Sequence, residues 1–99
     1  MRLRERGEPL TVLDARGRAA FARGAERVAG DVRAEGSKEL SWAGALPREG
    51  WLLAYCTCLG DGLAVRVATR LREAGFPRAC AVAEGLEGCR AAGLPVVPK

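Results

Sequence analysis

Residues 51–55, Trp-Leu-Leu-Ala-Tyr, form an apolar run with no polar alternation. A strand with one wet face alternates with period two, so an unbroken run predicts a strand covered on both faces, as in a parallel sheet. Cys56 follows at the carboxyl end of that strand, and a glycine-bearing loop from Thr57 to Gly62 comes next. Beyond it the period changes. Leu63, Val67 and Leu71 recur every fourth residue with Ala64, Ala68 and Ala74 beside them, while Arg66, Arg70, Arg72 and Glu73 fall on the opposite side. This predicts an amphipathic helix over 62–74, closed by Gly75 as a left-handed cap.

The remaining pattern is weaker but of the same kind. Leu10-Thr11-Val12-Leu13-Asp14 predicts a first core strand. Residues 17–23 predict a short helix with Ala20 and Phe21 turned inward, 24–30 an irregular connection, and Asp31-Val32-Arg33 a very short strand. Ser37 is a fair N-cap for a helix carrying Leu40 and Trp42, and Pro47 and Gly50 break the chain before Trp51. Residues 79–83 predict another strand, 84–92 a last short helix capped by Gly93, and 94–97 an extended tail. Strands and helices in alternation imply an α/β layered domain with a mostly parallel central sheet and helices on both faces.

Composition narrows the class. The chain has 99 residues, 48% hydrophobic and 28% charged, which suits one globular domain over 1–99. No apolar run reaches the roughly 20 residues that span a bilayer, and the charged start Met1-Arg2-Leu3-Arg4-Glu5-Arg6 lacks the apolar core of an export signal. The expectation is a cytoplasmic protein. The net charge of +4 comes almost entirely from arginine, since Lys38 and Lys99 are the only lysines. Those arginines are scattered among Glu and Asp without aromatic interleaving, which argues against nucleic acid and leaves small anions or acidic protein surfaces as partners.

There are four cysteines and no histidine. In an intracellular chain disulfide stapling is disfavoured, and Cys80 and Cys89 read as small buried hydrophobes. Cys56 and Cys58 differ, because they flank a glycine loop at a strand's carboxyl edge, where ligands bind in open α/β sheets. Amides of Thr57, Cys58, Leu59, Gly60, Asp61 and Gly62, with the helix start behind them, can converge on one point and favour a thiolate over a thiol. Asp14 and Arg16, at the end of the neighbouring strand, are placed to support that loop from behind through an ion pair or hydrogen bond.

Several landmarks together resemble a single rhodanese-like domain of the sulfurtransferase family. They are Val12-Leu13-Asp14-Ala15-Arg16, Phe21, Tyr55-Cys56, Arg70-Leu71-Arg72-Glu73-Ala74-Gly75-Phe76, Glu84-Gly85-Leu86 and Ala92-Gly93-Leu94-Pro95-Val96. The resemblance covers nearly the whole chain and rests on order and spacing, since each motif alone is weak. It implies that Cys56 is a nucleophile that takes the outer sulfur of a donor such as thiosulfate, becomes a persulfide, and passes the sulfur to a thiol or cyanide. The partners implied are a small anionic or persulfide donor and a thiol acceptor, which can be a protein; no cofactor and no metal is implied. With no histidine as base, the loop and helix amides must lower a thiol pKa of about 8.5.

The chain departs from the family pattern in three places. No arginine stands between Cys56 and Gly62, and Asp61 is there instead, either opposing an anionic donor or capping the following helix. The family's Gly-His-Ile-Pro-Gly stretch is replaced by Ala25-Glu26-Arg27-Val28-Ala29-Gly30, and Cys89 stands where a tryptophan is usual. Cys58 is an alternative nucleophile or a resolving thiol, although a one-residue spacing strains a disulfide with Cys56. A phosphatase-type loop needs an arginine six residues after its cysteine, where Gly62 or Ala64 stands here. A zinc site from Cys56, Cys58, Cys80 and Cys89 is disfavoured by Cys80 lying mid-strand. The rival from another class is a non-enzymatic rhodanese-like module for protein binding or redox sensing.

Overall fold

The computed structural model describes residues 10–34, 44, 46–57 and 62–99. In chain order its elements are β1 (Leu10–Asp14), α1 (Arg18–Arg23), β2 (Glu26–Val28), β3 (Val32–Arg33), β4 (Trp51–Tyr55), α2 (Gly62–Glu73), β5 (Ala79–Ala81), α3 (Gly85–Ala91) and β6 (Val96–Pro98). The expected helix after Ser37, with Leu40 and Trp42, lies outside the described residues.

Four strands form a parallel sheet in the order β3-β1-β4-β5. β1 and β4 are paired along their full length, from Leu10 opposite Trp51 to Asp14 opposite Tyr55. The two central strands therefore end together, and the Ala15 amide donates to the Tyr55 carbonyl at 2.7 Å, continuing the ladder one residue further.

Strand alternation divides the core in two. Leu13, Leu52, Ala54 and Cys56 pack with Ala64, Val67, Leu71 and Phe76 on the α2 side. Val12, Leu53 and Tyr55 pack with Val28, Cys89 and Leu94 on the side of α3 and the β2–β6 ribbon. Alternate side chains of β4 thus enter different apolar clusters, which is why its sequence shows no polar period. This is the α/β architecture expected, with a parallel sheet and a helix packed on each face.

α2 buries Ala64, Val67, Ala68 and Leu71, while Leu63 is half-buried and Ala74 is exposed. Its end is closed by Gly75 at φ 100°, and the Phe76 amide donates back to the Leu71 carbonyl at 3.0 Å. Phe76 joins Leu71 in the same cluster, the apolar contact that accompanies this type of helix stop.

Three expectations are corrected. Residues 24–30 are not wholly irregular: β2 pairs antiparallel with β6, with Val28 opposite Val96 and Glu26 opposite Pro98. A three-residue strand beginning Glu-Arg has no readable period, and its partner lies at the far end of the chain. β5 stops at Ala81 rather than Ala83. Glu84 precedes α3 at φ 67° instead of belonging to it, and α3 runs from Gly85 to Ala91.

Candidate active site

Cys56 follows the last residue of β4 at the carboxyl edge of the sheet. Its side chain is fully buried in the α2-side cluster and forms no disulfide. Thr57 is exposed, and α2 begins at Gly62. Cys58, Leu59, Gly60 and Asp61 lie outside the described residues, and with them the expected helix cap and second thiol.

The start of α3 closes on the same point from the other side. Gly85 has φ 57°, and a Cβ placed on it would overlap the Cys56 carbonyl oxygen. Only a residue without a side chain allows this approach. The Val82 amide donates to the Ala54 carbonyl at 2.8 Å, holding the strand that leads to α3 against β4. Gly85 entered the sequence reading only as one of several family landmarks. Its contact with the Cys56 backbone depends on a loop crossing and leaves no local signature.

Behind this edge lies a buried polar network. Asp14 and Arg16, 1% and 2% exposed, form a two-pronged ion pair. Arg16 Nε donates to Asp14 Oδ1 at 2.9 Å and Nη2 to Oδ2 at 2.8 Å, while the Arg16 amide donates to Oδ1 at 3.1 Å. The guanidinium carbon also sits 5.5 Å from the Tyr55 ring centroid and 5.3 Å from that of Phe21. Asp14 and Arg16 bond to each other, beside the paired ends of β1 and β4; any contact they make with residues 58–61 lies outside the described residues.

Tyr55 contributes a second strut, which the sequence did not reveal. Its hydroxyl donates to Asp31 Oδ2 at 2.6 Å and accepts from the Val28 amide at 3.4 Å. Asp31 is held in turn by Arg27, whose Nε donates to Oδ1 at 2.8 Å. Burial, then the hydrogen bond to Asp31, pushes the Tyr55 pKa far above the usual phenol range. In the sequence Asp31 opens a very short predicted strand, and no local feature points from it to a tyrosine on another strand.

Cys80 is half-buried on β5, and Cys89 is fully buried in the α3-side cluster, across the sheet from Cys56. This separation of Cys56 and Cys89 opposes a shared metal site, and among the described residues no group of His, Cys, Asp and Glu is arranged to hold a metal ion. Burial raises the Cys89 thiol from 9.0 to about 11. Both Tyr55 and Cys89 hold their protons more tightly folded than unfolded, so their contribution is complete below the unfolded thiol pKa and declines above it. We expect the unfolding free energy to fall as pH rises from 9.0 to about 11, with Cys89→Ala removing the first part of that fall in urea titrations at stepped pH.

Beside Thr57 an open cleft of about 450 Å³ separates α1 from the start of α2. Gly17, Arg18, Ala20 and Arg23 line one side, and Thr57 and Leu63 the other. The two arginines belong to a helix that the sequence assigned only to the scaffold.

No helix among the described residues is long and apolar enough to cross a membrane. No protein-family model matches the chain, and no curated protein matches it. Solved structures do. A crystal structure of the Alr3790 protein from Anabaena sp. is 26% identical, covers 94% of this chain and 81% of its own, and superposes with a TM-score of 0.71. The rhodanese-like domain of that protein is 23% identical, with 96% and 94% covered and a TM-score of 0.69. A full-length protein from Lactobacillus plantarum is 26% identical, with 98% and 79% covered and a TM-score of 0.74. With its four-stranded parallel sheet, a helix packed on each face and Cys56 following the strand that leads towards α2, this chain has the fold of a rhodanese-like domain.

Proposed function

We propose that the domain carries sulfane sulfur as a persulfide on Cys56. The Cys56 thiolate attacks the outer sulfur of thiosulfate or a related donor. A new S–S bond forms, the donor's own S–S bond breaks, and sulfite leaves with the electron pair. An acceptor thiolate or cyanide then attacks the outer sulfur of the Cys56 persulfide, and the Cys56 thiolate leaves, ready for another cycle. No net oxidant or reductant is needed.

The observation that carries this reading is the position of Cys56. It stands at the carboxyl edge of a central parallel strand, directly ahead of the segment that starts α2, where ligands of open α/β sheets bind. The chain has no histidine, so ionising the thiol falls to peptide dipoles of the Thr57 to Gly62 segment. Asp14, Arg16 and Tyr55 serve as supports that hold the strand end still. The cleft at Thr57 adjoins the residue that follows Cys56, and a donor in it approaches the thiol once the segment after Thr57 gives way. Full burial of Cys56 also favours a second reading, a non-enzymatic module that binds a protein or senses oxidants.

Turnover separates the two. With thiosulfate and cyanide supplied together, thiocyanate and sulfite should form in equal amounts, and Cys56→Ser should abolish both while Cys80→Ser leaves them unchanged. Absence of thiocyanate with thiosulfate, and of sulfur uptake with a persulfide donor, supports the binding module.

A further inference from the structure

The Cys56 segment contains no arginine to grip an anionic donor, and its one charged residue is Asp61. The cleft that adjoins it supplies cations from a different element. Arg18 and Arg23 both line the wall opposite Thr57, and Gly17, Ala19 and Ala20 between and before them keep that wall low. Both arginines are exposed, and among the described residues no carboxylate pairs with Arg23. The described carboxylates nearest in sequence are engaged elsewhere: Asp14 with Arg16, and Glu26 with Arg90 at 2.6 Å.

We propose that Arg23, with Arg18 lining the same cleft, binds the oxyanion end of the sulfur donor, so that α1 provides the specificity for a negatively charged substrate that the Cys56 segment does not. A planar guanidinium matches a sulfonate-like group with two parallel N–H donors, and an open cleft leaves room for the rest of a larger donor. The group held is a sulfur oxyanion, as in thiosulfate or an organic thiosulfonate. This assignment rests on the sulfur-carrier reading for its substrate, but the binding step can be measured without turnover.

The test uses the full chain carrying Cys56→Ser, which cannot form a persulfide at that position. Thiosulfate is titrated and followed by NMR chemical shifts. Arg23→Gln should weaken binding about tenfold, the loss of one charge-assisted contact, and Arg23→Lys should restore part of it. Arg18→Gln with Arg23→Gln should weaken it further. In the chain with Cys56 intact, Arg23→Gln should raise KM for thiosulfate and leave kcat nearly unchanged. The substituted arginines are exposed, and circular dichroism and urea midpoints unchanged from the Cys56→Ser chain confirm that each variant is folded. Equal affinity across these variants overturns the proposal, as does a Cys56→Ser chain that binds no thiosulfate. If thiosulfate binds through the arginines but the intact chain takes up no sulfur, the cleft assignment stands and the sulfur-carrier reading falls.

Discussion

Asp14→Ala should lower the unfolding free energy by about 3–5 kcal/mol, the cost of breaking a buried ion pair from one side. The substitution removes every acceptor for the Arg16 side chain recorded among the described residues, at a place where the guanidinium is almost closed to water. It also strips the Arg16 amide of its short-range acceptor. Domains of this size have only about 5–15 kcal/mol in total, so the variant should be marginal at room temperature. The pair as a whole is worth much less than that loss, because both ions were desolvated to make it. A double variant, Asp14→Asn with Arg16→Met, should therefore recover a substantial part of the stability. Urea unfolding of Asp14→Ala and of the double variant checks this. A single-variant loss below about 1 kcal/mol would place the pair in water and remove it as the support behind Cys56.

Gly85→Ala should be nearly as damaging, at about 2–4 kcal/mol, by two separate routes. At φ 57° any side chain is strained, and here the added Cβ meets backbone that cannot swing aside. The atom it meets is the Cys56 carbonyl oxygen, so relief must come by moving α3 or the end of β4. The expected result is a loss of thiosulfate turnover larger than the fraction unfolded accounts for. Gly88→Ala in the same helix is a useful contrast, since its Cβ meets the Ala83 carbonyl and Val82, further from Cys56. Activity that follows the folded fraction alone in Gly85→Ala would disconnect this contact from the site.

What could be read from the sequence follows from the range of each interaction. β1, β4 and α2 were legible because burial on two faces leaves an unbroken apolar run and burial of one helix stripe leaves its mark every fourth residue. Asp14 and Arg16 stood out as a polar pair of positions at a strand end, but that they bond to each other is set by the backbone turn after β1 and was seen only in the structure. The β2–β6 ribbon was not, since it joins Glu26 to Pro98 and has too few residues to show a period. The Tyr55–Asp31 bond was hidden for a related reason: Tyr55 looked like one more apolar residue of β4, and its hydroxyl partner is set by where β2 and β3 come to lie. The cleft arginines sat in a helix of six residues whose sequence says nothing about what it faces. The family resemblance singled out the same cysteine as the strand and loop pattern and supplied the order of elements. It could not supply the oxyanion cations, because its usual position for one is empty in this chain.

The central claim is a sulfur atom carried on one thiol. Intact mass of the protein after incubation with thiosulfate or a persulfide donor, followed by removal of excess donor, tests it most directly. The account predicts a gain of one sulfur atom that maps to Cys56, disappears on adding cyanide and is absent from Cys56→Ser. An unchanged mass with every donor, or a sulfur that persists in Cys56→Ser, would contradict it.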